Sequence, residues 1–187
     1  HHAHVFDSME RQRSPRPAHS PDGEGYGNHH HQEDDIPHRK GFSNNFTPAA
    51  MTLLERLNND DRFANGIGAR LTEIDKGFAR AELTVEERHL NGGGVCQGGV
   101  MYTLADLAFA AVANSGGILT LGISNTITFL QSAQLGDHLI AECKATFDHH
   151  KLPYCDIHIS NQDGKLVCVM TGLAYRLNKD FGFDSLM

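Results

Sequence analysis

Residues 97–113 read QGGVMYTLADLAFAAVA. From Val100 to Ala113 the side chains are apolar on nearly every face of a helix, so this helix has no solvent side and must be enclosed by the rest of the fold. Asp106 breaks the pattern, nine residues after Gln97. An ionised carboxylate in such surroundings is costly unless it has partners. The pair Gly98-Gly99 leaves backbone N–H groups free at the helix start, where a polarised carbonyl or an anion docks. A buried acid and an amide-lined helix end are the parts an ester- or thioester-cleaving site needs.

Asn114-Ser115-Gly116-Gly117 supplies the helix stop, and the chain beyond it is strand-like. Residues 118–130 are rich in β-branched side chains. Leu139, Ala141, Cys143, Ala145 and Phe147 alternate with His138, Ile140, Glu142, Lys144 and Thr146, as Cys155, Ile157 and Ile159 do with Asp156, His158 and Ser160. Residues 161–164 (Asn-Gln-Asp-Gly) are a turn signal, and residues 166–176 form the last predicted strand, with a fraying tail over 178–187. Ahead of the helix, Ile67, Ala69 and Leu71, then Ala79, Ala81, Leu83 and Val85, predict a hairpin turning at Asp75-Lys76-Gly77. Residues 49–57 predict a short helix started by Thr47-Pro48 and ended by Asn58-Asn59-Asp60-Asp61. The order is helix, two strands, one very apolar helix, four strands. Short turns between strands imply an antiparallel sheet with one face to bury, so the α+β architecture expected is a curved sheet wrapped around the long central helix.

The chain has 187 residues and a formal net charge of -7. Residues 1–47 hold eight of the thirteen histidines, most of the prolines and hardly any aliphatic side chains. So little apolar area cannot offset ordering entropy, and a disordered extension is expected there. Its clusters His1-His2 and His29-His30-His31 are metal-capable, yet read more simply as a tag or linker before a start at Met51 or Met9. The folded domain is expected over 48–177, long enough for one core. No basic stripe marks a nucleic-acid partner, no apolar run approaches membrane-spanning length, and no signal-peptide core is present. Cys96, Cys143, Cys155 and Cys168 lack paired spacing and read as reduced core thiols of a cytoplasmic protein.

With these residues in view, the stretches HLNGGGVCQGGVMYTLADLAFAAVANS, ISNTITFLQSAQLGDHLIAEC and YCDIHISNQDGKLVCV resemble the hotdog-fold acyl-CoA thioesterases of the phenylacetyl-CoA type, over roughly residues 50–177. The resemblance implies a hotdog fold and a dimer or tetramer. It also implies hydrolysis of an acyl-CoA to a carboxylate and free coenzyme A, with no metal and no cofactor beyond the substrate's own coenzyme A. It implies Asp106 as general base or nucleophile, and Asn91 and the Gly98 amide as carbonyl-polarising donors. Ser124 is implied as a hydroxyl holding the attacking water. The family usually has histidine where this chain has Gln97, which cannot carry a charge or shuttle a proton.

Eight residues separate Gly98 from Asp106, about 12 Å along one helix. A carbonyl and its attacking water must lie about 3 Å apart. One helix therefore cannot serve one substrate with both groups, whereas two helices antiparallel across a two-fold axis can, which predicts composite sites at a dimer interface.

Each of these residues also has a plainer reading. Asp106 is a structural acid if bonded to neighbouring backbone, Asn91-Gly92 is a strong turn signal, and Gln97 is either a loop-ordering cap residue or substrate-facing. Gly99 belongs to the substrate-binding helix start. Lys151, in His149-His150-Lys151, is either an exposed loop cation or a contact for nucleotide phosphates. Gly92-Gly93-Gly94 lacks the Lys-Ser/Thr of a phosphate-binding loop, and Cys96 lacks a histidine base. His89, His138 and His158 do not propose a metal site. Two other functions stay open: a non-catalytic acyl-CoA or small-ligand binding domain, and a dehydratase, which wants a histidine beside the acid.

Overall fold

The fold is that of a computed structural model describing residues 51–182. The chain divides into two units, His1–Asn45 and Phe46–Met187, and the described residues belong to the second. The extension expected over residues 1–47 and the Thr47-Pro48 helix start lie outside the described residues.

Helix α1 spans Leu53–Asp60 with Thr52 as its N-cap. Thr52 and Glu55 form a reciprocal capping box, the Thr52 hydroxyl accepting from the Glu55 N–H at 3.2 Å and Glu55 accepting from the Thr52 N–H at 3.0 Å. The run 58–61 expected as a stop does end α1, with Asp61 as its C-cap, and Asp61 also caps a second short helix, α2 (Arg62–Gly66), its Oδ1 accepting from the Ala64 N–H at 2.9 Å. Asn58 bonds both the N–H and the carbonyl of Leu71, tying α1 to the sheet.

Six strands follow: β1 (Arg70–Asp75), β2 (Phe78–Thr84), β3 (Ile118–Phe129), β4 (His138–Phe147), β5 (Tyr154–Ser160) and β6 (Leu166–Asp180). All pair antiparallel in the order β1-β2-β4-β5-β6-β3, so β3 ends the sheet. β6 continues past the expected fray at Asn178, since Asp180 pairs with Ile118. The long helix α3 (Gly98–Asn114) packs against every strand, and the alternating small and branched residues of β2, β4 and β5 close over it. This sheet around a central helix is the hotdog fold. Among the described residues no helix is long and apolar enough to cross a membrane.

Two contacts fix α3 against the β3–β6 end of the sheet. The Phe109 ring, 2% exposed, lies where glycines replace side chains: a Cβ on Gly172 would stand 2.9 Å from it, and one on Gly122 3.4 Å. At the helix end, buried Asn114 donates to the carbonyls of Ala110 (2.9 Å) and Thr120 (3.0 Å) and accepts from the Thr120 N–H (2.8 Å). β3 therefore runs back along α3, with Thr120 beside the helix C-terminus.

Candidate active site

The loop before α3 is closed by the Leu90–Cys96 bridge and by Asn91, whose Oδ1 accepts from the Gly93 N–H at 2.8 Å. Gly94 completes the turn at φ +77°, a conformation that glycine adopts without strain. Asn91 is thus a turn residue through its carbonyl, while its Nδ2 has no partner among the described residues and is left to donate outward. Buried His89 anchors the loop's far side. Its carbonyl accepts from the Gln97 N–H at 2.8 Å, and its Nδ1 accepts from the Glu86 N–H at 3.0 Å.

Gln97 is the N-cap of α3: its side-chain oxygen accepts from the Gly99 N–H, and its carbonyl accepts from the Val100 N–H at 3.0 Å. The Gly98 N–H is left without a partner among the described residues, at the positive end of a 17-residue helix. Phe129 of β3 packs over Gly98 so closely that a Cβ there would lie 2.9 Å from its ring.

Asp106 stands two turns further along α3. Gly98, Tyr102 and Asp106 follow at four-residue steps and share one slowly turning face. That face looks at β3: Phe129 covers Gly98, and Asn125 reaches the other two. Asn125 Nδ2 donates to Asp106 Oδ1 at 3.1 Å and to the Tyr102 hydroxyl at 2.9 Å. Burial holds the Asp106 carboxyl above its usual pKa; the Asn125 bond pulls the other way, and the Asp61 carboxylate adds a smaller upward push.

The chain matches the Thioesterase superfamily profile over residues 93–168. It is 38% identical over 139 residues to a protein of Archaeoglobus fulgidus, covering 72% of this chain and 90% of that one. With acyl-coenzyme A thioesterase PaaI of Escherichia coli it shares 35% identity over 118 residues, 63% of this chain and 84% of the relative. The chain belongs to the thioesterase superfamily. Among solved structures, the E. coli PaaI protein from the phenylacetic acid degradation operon matches with TM-score 0.64 at 31% identity, covering 69% of this chain and 99% of that one. A Streptococcus mutans protein solved bound to acetyl CoA matches with TM-score 0.58 at 25% identity, over 60% of this chain and 91% of its own.

In this thioester hydrolase the expected site residues do not all fall together. Gln97, Gly98 and Gly99 form the start of α3, Asn91 lies in the turn of the loop before it, and Asp106 stands about 12 Å from Gly98 at 1.5 Å per residue. Ser124 joins neither. It pairs with Leu173 on the sheet face turned away from α3, whereas Asn125 pairs with Gly172, which abuts Phe109. Lys151 is also apart: its ammonium donates to Asn178 at 2.6 Å, and Arg176 bonds its carbonyl, near the strand end that pairs with Ile118 beyond the helix C-terminus. Cys96 is buried, and desolvation pushes its thiol up to about 11, which leaves it protonated and unreactive at neutral pH. Among the described residues no three His, Cys, Asp or Glu side chains group as metal ligands.

The contact that sequence reasoning missed is Asn125. A polar residue on a β-branched strand carries no signal alone, but counting back in twos from Phe129 and Ile127, which packs on the core, places Asn125 on the helix face.

Proposed function

We propose that this chain hydrolyses an acyl-CoA thioester to a carboxylic acid and free coenzyme A, at a composite site assembled from two copies. The observation carrying this reading is the pairing of an unused Gly98 amide at a helix start with a half-buried, charge-resisting Asp106 on the same helix face. The thioester oxygen accepts from the Gly98 N–H and from Asn91 Nδ2 of one copy. Asp106 of the other copy takes a proton from water as its oxygen attacks the carbonyl carbon, or attacks that carbon itself to give an anhydride that water then opens. The C–S bond breaks, and coenzyme A leaves as the thiol after taking up a proton. Each lost oxyanion donor costs about 2.7–4 kcal/mol of transition-state stabilisation.

The separation of about 12 Å along α3 supports self-association, as does the position of β3. That strand is the sheet's last, twelve residues long, with Leu121, Ile123 and Phe129 exposed. A long apolar edge of this kind is stabilised by pairing with another strand. The acyl-CoA class is drawn from two of the relatives, one an acyl-coenzyme A thioesterase and one bound to acetyl CoA.

A second reading, a non-catalytic acyl-CoA binding domain, draws on Gln97, whose side-chain oxygen is spent on the helix cap where the family usually has histidine. A thiol-release assay over short, medium and aromatic acyl-CoAs, run on wild type and Asp106→Ala, separates the two. Hydrolysis is expected from wild type, with Asp106→Ala lower by about 10²–10⁴-fold. Binding without thiol release establishes the second reading, and an active Asp106→Ala removes the acid from the first.

A further inference from the structure

We infer that Asn125 is a positioning residue for the acid: its carboxamide, braced by Tyr102, holds Asp106 Oδ1 and leaves Oδ2 as the oxygen that works on water or the thioester. This rests on the reading of Asp106 as base or nucleophile and adds to it a residue on a different element.

Both hydrogens of the Asn125 amide are in use, one on Asp106 Oδ1 at 3.1 Å and one on the Tyr102 hydroxyl oxygen at 2.9 Å. This sets the rotamer. Turning the amide over would put its oxygen against the carboxylate and lose the bond to it. Tyr102, one turn before Asp106, accepts here and keeps its own proton to donate outward, where the side chain is exposed. The backbone under Asn125 is equally constrained, because it pairs with Gly172 against the Phe109 ring. The Asn125 oxygen is buried and has no partner among the described residues. A buried orphan acceptor costs free energy, and the geometry explains its retention: the amide faces the acid with its donor side.

The electrostatics agree. Among the described residues no Lys or Arg pairs with Asp106; the charged group acting on it is the Asp61 carboxylate at the cap of α2, and Tyr102 is the titratable neighbour on α3. Asn125 is the group that favours the ionised acid against burial and Asp61. Removing it therefore raises the Asp106 pKa and keeps the base protonated to higher pH.

The experiment is the pH profile of kcat and of KM for an acyl-CoA, measured on wild type, Asn125→Ala, Asn125→Asp and Asp106→Asn, with thermal melts of each. Asn125→Ala is expected to lower kcat about tenfold or more, the scale of a hydrogen bond to a charged group, and to move the acid limb to higher pH with KM little changed. Asn125→Asp, nearly isosteric, is expected to move the limb further, because like carboxylates at this distance resist joint ionisation. If Asn125→Ala fails to fold, the Asp variant carries the test. An acid limb at its wild-type position in the folded Asn125 variants overturns the inference while Asp106→Asn stays inactive. Full turnover by Asp106→Asn overturns the reading beneath it as well.

Discussion

In the proposed mechanism Asp106 pits function against stability within one side chain. Its folded-state pKa lies above the ordinary 3.8, so the folded protein holds that proton more tightly than the unfolded chain. Below the ordinary value the group is neutral in both states and contributes nothing. As pH rises from 3.8 through the folded pKa, the unfolded chain gains from ionising first, and stability falls. Asp106→Asn removes this cost and keeps an oxygen to accept from Asn125. The variant is expected to be inactive yet at least as stable as wild type at pH 7, with the difference in melting temperature shrinking to nothing near pH 3. A variant less stable than wild type at pH 7 would show the carboxylate to be a net structural contributor. Gln97 illustrates the limit of reading a residue alone. Two uses were open from its chemistry; the bond to the Gly99 N–H commits its oxygen to the cap and leaves its amide nitrogen uncommitted among the described residues.

At the level of elements, the α3–β3–β6 contact is the joint that sets the site. The Phe109 ring lies between glycines of β3 and β6, and Gly172 is opposite Asn125. Gly172→Ala would set a methyl 2.9–3.0 Å from three ring atoms in a fully packed interior, and is expected to cost about 1–3 kcal/mol. Chemical denaturation measures the loss, and Phe109→Leu in the same chain should recover part of it; additive losses would place the strain elsewhere. The strands were legible for the same reason they pack: half-buried elements must alternate, so β2, β4 and β5 are visible in Ala79–Ala81–Leu83, Leu139–Ala141–Cys143 and Cys155–Ile157–Ile159. The ends of elements were not. Thr52-Leu53-Leu54-Glu55 carried the capping pattern for α1, yet Thr47-Pro48 competed with it, and Asp61 is as good a cap for a new helix as it is a breaker of the old. The end of β6 is polar, yet it is held by pairing with Ile118, far away in sequence, and no local pattern records such a pairing. Asn125 and Ser124 are adjacent, and strand register, not residue type, decides which of them meets the acid.

For the whole molecule, the proposed site is divided along α3. In the proposed site Gly98 and Asn91 supply one half and Asp106, held by Asn125 and Tyr102, the other, and no bending of a 17-residue helix brings Gly98 and Asp106 to one carbonyl. If the halves meet across a two-fold axis, each dimer holds two sites, and each site borrows from both chains. Defects in different halves must then complement. Asn91→Ala and Asp106→Asn are each expected to be strongly impaired as pure proteins. Unfolded together at equal amounts and refolded, half of the dimers are mixed, and each mixed dimer has one site carrying both substitutions and one carrying neither. Activity is expected to recover to about a quarter of wild type on this counting. Thiol release before and after co-refolding measures it, with size-exclusion chromatography confirming dimers. Were both halves to act on one substrate within a single chain, mixing would restore nothing, and activity would stay at the mean of the two variants however long they were refolded together.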